Sequence, residues 1–260
     1  MCGLFGHYSL RQAVETVALR SRLNAAQSVL YHRGPDDSGL ESFSVPRGGD
    51  CSQGLLSLGH VRLSIIDLSA GGHQPMDSGN GRYTIVFNGE IYNYRELRAE
   101  LKTAGYVFRT DSDTEVLLVC WEHWGINVLH RLTGMFAFAI YDRWDETLTL
   151  VRDAFGIKPM FYSLDFETIS FASELPALLK LLPTEPKLNL QQAYDYLVHG
   201  LYDNQTHTFC EGVVHLLPGH LLQVDLKTMH SVALERWWQP STVERTDLKF
   251  GDAAEQLREL

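Results

Sequence analysis

The sequence predicts an α+β protein built mainly from antiparallel strands. Three observations carry that class. Short runs rich in aromatic and β-branched residues recur between Gly, Asp and Pro. The helical patterns between them are grouped in pairs and do not alternate one for one with strands. The stretch FAIYDRWDETLTLVRD reads as a hairpin whose turn runs from Asp142 to Glu146.

The elements follow in chain order. MCGLFGHYSL opens the chain with a short apolar run. QAVETVALRSRLNAAQSVL (12–30) carries apolar residues at three- and four-residue spacing and reads as a helix, ended by the loop YHRGPDDSG with its Gly34-Pro35 pair. Strands are predicted over 55–66, 82–91, 134–142, 147–153 and 168–173. A helix over 94–105 stops at Gly105, and another over 113–125 starts at Asp113 as its N-cap and stops at Gly125. Beyond about 175 the pattern weakens, with helices over 174–182 and 188–200 and a strand over 220–227. GDAAEQLREL places Glu255 three residues after Asp252, a capping-box spacing, and its apolar pattern stops unfinished at Leu260. That pattern implies a natural chain that continues.

Bulk properties narrow the function classes. A chain of 260 residues, 45% hydrophobic and 21% charged, is an ordinary globular composition with ample core. A net charge of −10 argues against a nucleic-acid partner, which calls for a basic footprint. No run approaches the roughly 18 apolar residues of a membrane span, and the N-terminus lacks a basic, then apolar, secretory pattern. The default expectation is a cytoplasmic protein. Cys2, Cys51, Cys120 and Cys210 form no C-x-x-C pair, which fits a reducing compartment, and Cys120 in EVLLVCWEHW reads as a buried small hydrophobe. Eleven histidines form no clustered ligand pattern, so no metal site is expected.

Three segments set polar residues where strands end: H60-V-R62-L-S-I-I-D67, F87-N-G-E-I-Y-N93 and T110-D-S-D-T-E115. Taken singly, Arg62 reads equally well as a surface charge, Asn88-Gly89 as a turn dipeptide and Asp113 as a helix cap. Taken together with Cys2, they match the needs of a thiol nucleophile. If Met1 is removed, Cys2 carries a thiol and an α-amine on one residue, so the base comes with the nucleophile. Asn88 and the N–H of Gly89 suit an oxyanion, and glycine lets the backbone approach a ligand closely. Arg62 suits an α-carboxylate. Asp113 and Glu90 suit an α-ammonium. The sum is a pocket for an amino acid whose side-chain carbonyl meets Cys2.

MCGLFG, YHRGPDDSG, GHVRLSIID, VFNGEIYNYRELR, SDTEVLL, GMFAFAIYD and LVRDAFGIKPMFYS occur in this order. In them the chain resembles the N-terminal glutaminase domain of glutamine-hydrolysing asparagine synthetases, a class II (N-terminal nucleophile) glutamine amidotransferase, over about residues 2–180. The resemblance implies a four-layer αββα sandwich, two antiparallel sheets between helical layers. It implies Cys2 as nucleophile and Asn88 and Gly89 as oxyanion hole. Arg62 would bind the glutamine carboxylate, with Leu63, Ser64, Ile65 and Ile66 lining the same site, and Glu90 and Asp113 would hold the α-amino group. The HRGPD loop (32–36) is expected to support the site. The implied division is a glutaminase domain over 2–200, its extension and a linker over 201–250, and the start of a synthetase domain over 251–260. No cofactor is implied for the glutaminase half. ATP and Mg belong to the synthetase domain, whose S-G-G-x-D-S loop does not occur in these residues. L-glutamine and that ammonia-receiving domain are the expected partners, and a homodimer is an open expectation. Two rival readings stand beside this one: an amidotransferase with a sugar, peptide or antibiotic precursor as acceptor, and a non-catalytic binding or dimerisation module.

Overall fold

A computed structural model describes residues 1–11, 15–46, 53–202, 205–229, 232–242 and 248–259. In chain order the elements are β1 (Gly3–Ser9), α1 (Val17–Leu30), β2 (Asp37–Pro46), β3 (Gln53–Arg62), β4 (Met76–Asp77), β5 (Tyr83–Ile91), α2 (Tyr94–Thr103), α3 (Asp113–Trp124), β6 (Gly134–Asp142), β7 (Thr147–Arg152), β8 (Phe161–Leu164), β9 (Thr168–Ala172), α4 (Leu175–Leu181), α5 (Leu190–His199), β10 (Val214–His215), β11 (His220–Asp225), β12 (Val232–Arg236) and α6 (Phe250–Glu259). Two antiparallel sheets result, in the orders β10-β8-β9-β1-β3-β2 and β12-β11-β7-β6-β5-β4.

Strand alternation sorts the side chains into three apolar layers. On β6, Ala137, Ala139 and Tyr141 point into the core between the sheets, where Leu4, Tyr8, Leu56, Leu58 and Val86 meet them. The alternate residues Phe136, Phe138 and Ile140 pack under α2 and α3 with Val116, Leu117 and Cys120. On the opposite face, Phe5 and Val61 pack against Leu19 and Leu23 of α1 and Leu178 of α4. Helices, sheet, sheet and helices are therefore stacked in four layers, the αββα sandwich expected from the resemblance.

Several boundaries differ from the sequence reading. The first helix begins at Val17 because the Thr16 hydroxyl accepts from Leu19 N and caps it, and residues 12–14 of the predicted span lie outside the described residues. The cap of α3 is Ser112, whose Oγ accepts from Glu115 N, so Asp113 is the first helical residue and its carboxylate is released for other use. The strand predicted over 55–66 ends at Arg62, and 63–66 leave the sheet. The last helix starts at Phe250, which puts Asp252 inside its first turn and not at the cap. Leu260 and Cys51 lie outside the described residues, while Cys2, Cys120 and Cys210 are free thiols. The opening apolar run, β1, was not assigned as a strand, and β2, β4, β8, β10 and β12 were not foreseen. The hairpin was: β6 pairs with β7 from Asp142↔Thr147 onward, and Asp142 Oδ1 accepts from Trp144 N and Asp145 N in its turn.

Candidate active site

β1 and β5 belong to different sheets, and their ends meet at one cleft. Met1, Cys2, Arg62, Leu63, Ile65, Ile66, Asn88, Gly89, Glu90 and Asp113 all line it. Ser64 does not, because its N–H is turned back to Asp36 Oδ2 at 2.8 Å.

Cys2 sits just ahead of β1. Its Sγ accepts from Leu63 N at 3.4 Å and donates to Leu63 O at 3.6 Å, which fixes the thiol at the mouth of the strand. Burial pushes the thiol pKa up, while the Leu63 hydrogen bond, the terminal amine and Arg62 pull it back. The main chain of Cys2 is fixed separately: Arg33 Nε donates to Cys2 O at 2.9 Å, and Arg33 Nη1 is paired with Glu174 at 2.7 Å. The HRGPD loop therefore anchors the backbone of the nucleophile candidate, and its Asp36 anchors the loop after β3.

Arg62 closes β3. Its Nη1 donates to Ser69 O at 2.8 Å and its Nη2 to Asp67 O, tying the segment 67–69 over the cleft. The guanidinium lies flat against Gly72, where an added Cβ would fall 2.0 Å from Nη2. Asp113 is 6% exposed, and burial raises its carboxyl to about 6; Oδ2 accepts from Ile91 N at 3.0 Å. Glu90 lines the cleft beside it and adds a second negative charge that pushes the same way.

Asn88 differs from all of these. It is 1% exposed, and neither its Nδ2 nor its Oδ1 has a hydrogen-bond partner among the described residues. A buried amide left without partners costs about 1–3 kcal/mol per group, so its retention needs a reason. Gly89 follows it on β5. Tyr83, Phe87 and Ile91 send their N–H groups to Ser78, Gln74 and Asp113. By strand alternation the Gly89 N–H points to that same edge, away from β6. Its lack of a side chain is demanded from the other side: a Cβ would come within 2.4 Å of Met135 O on β6. Strand pairing with β6 thus requires a glycine at this position.

Two buried polar residues near the cleft were not singled out by sequence reasoning. His60 reaches from β3 across to β5, its Nε2 hydrogen-bonded to Phe87 O at 2.9 Å next to Asn88; burial lowers it to about 4, so it is neutral. Lys158 also lines the cleft and is 4% exposed. The signal for it was the quoted RDAFGIKP run, but nothing in that run says that the lysine turns inward. Among the described residues, no group of three or more His, Cys, Asp or Glu side chains is placed to hold a metal, and no helix is long and apolar enough to cross a membrane.

Comparison with known proteins adds the family. The chain is 41% identical over 179 residues to glutamine-hydrolysing asparagine synthetase 1 of Bacillus subtilis (strain 168), an alignment covering 69% of this chain and 27% of that protein. It is 30% identical over 264 residues to asparagine synthetase 3 of the same organism, covering 100% of this chain and 40% of the other. This chain thus spans well under half the length of these relatives. The solved structure of glutamine phosphoribosylpyrophosphate amidotransferase from B. subtilis, complexed with ADP and GMP, superposes with a TM-score of 0.60 at 20% identity over 92% of this chain and 50% of that one, which establishes the shared amidotransferase fold. The family model described as glutamine amidotransferase domain matches residues 1–238, and the chain belongs to that family.

Proposed function

We propose that this chain hydrolyses L-glutamine to glutamate and ammonia through a thioester on Cys2, and that the ammonia passes to an ATP- and Mg-dependent asparagine synthetase domain. The observation that carries the reading is the unpartnered Asn88 amide in the same cleft as the Cys2 thiol.

In this reading the α-amine of Cys2, exposed by removal of Met1, takes the thiol proton. Sγ bonds to the carboxamide carbon of glutamine, and the carbonyl oxygen becomes an oxyanion that accepts from Asn88 Nδ2 and Gly89 N. The protonated amine returns its proton to the leaving nitrogen, the C–N bond breaks and ammonia departs. Water then attacks the thioester, giving its proton to the amine. The C–S bond breaks, glutamate leaves, and the thiol regains its proton. Arg62 binds the α-carboxylate, with the backbone around Leu63 to Ile66 beside it, and Asp113 and Glu90 hold the α-ammonium. An ammonium next to Asp113 also offsets the burial that raises its pKa.

The test compares the chain beginning at Cys2 with one that retains Met1 or carries an N-terminal tag. Only the first is expected to release glutamate from glutamine. Equal turnover by a blocked chain contradicts the role of the amine, and no turnover by either contradicts the glutaminase reading.

A further inference from the structure

Beyond Ile85 the outer edge of β5 has no strand beside it. β4 pairs only as Met76↔Ile85 and Asp77↔Thr84, and β6 occupies the other edge. The odd-numbered residues of β5 turn both of their peptide groups away from β6. Phe136, the register partner of Gly89, agrees with this: its N–H and C=O are bonded to Asp153 on the β7 side, at 3.1 and 2.8 Å. Three side chains stand in for the missing strand. Gln74 Oε1 accepts from Phe87 N at 2.6 Å, His60 Nε2 donates to Phe87 O at 2.9 Å, and Asp113 Oδ2 accepts from Ile91 N at 3.0 Å. Gly89 lies between the two bonded positions, at the cleft. A longer β4 would satisfy the same groups, but in the existing register it would set Gly72 against Gly89 and cover that N–H. Side chains close the edge and leave one donor open.

The two clamps on Phe87 come from separate parts of the fold. β3 turns Leu56 and Leu58 into the core between the sheets, and the same alternation carries His60 and Arg62 to the cleft end of that face. His60 is fully buried, and burial holds its ring neutral. With Nε2 donating to a carbonyl, Nδ1 is left as an acceptor, and it has no partner among the described residues. An apolar side chain would avoid that cost, so the Nε2 bond is what a histidine adds here. Gln74 is 3% exposed and lines the cleft, and its Nε2 donates to Thr114 Oγ1 at 3.3 Å in the first turn of α3. The Phe87 peptide groups are thereby tied both to β3 of the other sheet and to α3.

What these bonds control is the aim of Asn88. Alternation sends Val86 into the core between the sheets and Asn88 to the same face. The Asn88 amide has no hydrogen bond of its own among the described residues, so its direction is set by its backbone and its packing. Phe87 O and Asn88 N belong to one planar peptide, and the His60 bond fixes that plane. We propose that His60 and Gln74 are positioning residues for the oxyanion hole: they fix the Phe87 peptide groups so that the Asn88 amide and the Gly89 N–H are held toward the same point in the cleft. The inference rests on the oxyanion role proposed for Asn88 and Gly89. A displacement of about 1 Å at such a donor can cost roughly 10² in rate.

The experiment measures kcat and KM for glutamine hydrolysis by the chain beginning at Cys2. The proteins are the unaltered chain, His60→Leu, His60→Gln and Gln74→Met, together with Asn88→Ala alone and combined with His60→Leu. His60→Leu and Gln74→Met are expected to lower kcat by about 10–100-fold, with KM changed by less than about threefold. His60→Gln, whose amide nitrogen can reach the place of Nε2, should recover most of that loss. In the Asn88→Ala background His60→Leu should cost less than about threefold further, since the side chain it aims is absent; a purely structural histidine gives the same loss in both backgrounds. If His60→Leu does not fold, Gln74→Met in the two backgrounds carries the same expectation. An unmoved kcat, a loss confined to KM, no recovery in His60→Gln, or equal losses with and without Asn88 overturns the positioning role alone. Absence of turnover by the unaltered chain overturns it together with the function on which it rests.

Discussion

The two ends of the cleft are built on different terms. At the recognition end the charged groups are already bonded to backbone: Arg62 to the carbonyls of Asp67 and Ser69, and Asp113 to the N–H of Ile91. At the reaction end the polar groups are left waiting. Among the described residues Asn88 has no partner at either side-chain atom, and Cys2 has only two long sulfur hydrogen bonds. In the proposed function the recognition groups thus hold the fold as well as the substrate. On the same proposal the reaction groups keep their hydrogen bonds for a charge that develops only during turnover.

This contrast can be broken by measuring activity and stability on the same variants. The largest effect is expected for Cys2→Ser, where loss of the nucleophile should reduce glutamate release by at least about 10⁴-fold with an unchanged Tm. Next comes Asn88→Ala. One oxyanion donor is worth roughly 10²–10³ in kcat, so kcat should fall by that factor with KM nearly constant. Its Tm should hold or rise, because no hydrogen bond is lost and an orphaned amide is removed; a Tm drop accompanied by a higher KM would show that Asn88 belongs with the recognition groups. Arg62→Ala should behave oppositely. KM is expected to rise by about 10–100-fold, the range of a lost charged hydrogen bond, and Tm to fall as residues 67–69 lose their anchor. Retention of both glutamine affinity and Tm would remove Arg62 from the carboxylate site.

The smallest effect is a pH dependence. The Asp113 carboxyl is raised to about 6 by burial, so it protonates as pH falls through that value, and KM should climb below about pH 6. Linkage gives the sign for stability. The folded state holds this proton more tightly than the unfolded chain, so the group favours folding at low pH and that contribution is lost as pH rises through about 6. Asp113→Asn should therefore flatten the KM profile and raise Tm modestly at pH 7–8. A KM profile that still bends near 6 in the variant would assign the titration to another group.

The same contrast explains what was legible in the sequence. β6 was read from Gly134 to Asp142 and is found there, because a strand buried on both faces must be apolar at nearly every position. β2 was missed because it is an edge strand. DSGLESFSVP is polar, half exposed and ends in proline, the features that keep a sheet edge from pairing with other chains. Asp113 was placed one position early in α3, since Ser112 and Asp113 are both good caps and only the Ser112 Oγ hydrogen bond to Glu115 N decides between them. The candidate site was legible where residues fall in short ordered motifs. Nine of the ten residues named from sequence line one cleft, all but Ser64. His60 and Lys158 were not legible as neighbours of the site, because what sets them apart is burial, and a residue type does not report it.

The most direct test of the central claim is intact-mass analysis of the protein quenched in acid during turnover with glutamine. The expected species is a chain beginning at Cys2 that carries one glutamyl unit as a thioester, mapped to Cys2, released by hydroxylamine and accumulating less in Asn88→Ala. Turnover with Met1 retained, or a glutamyl adduct on any other residue, would contradict it.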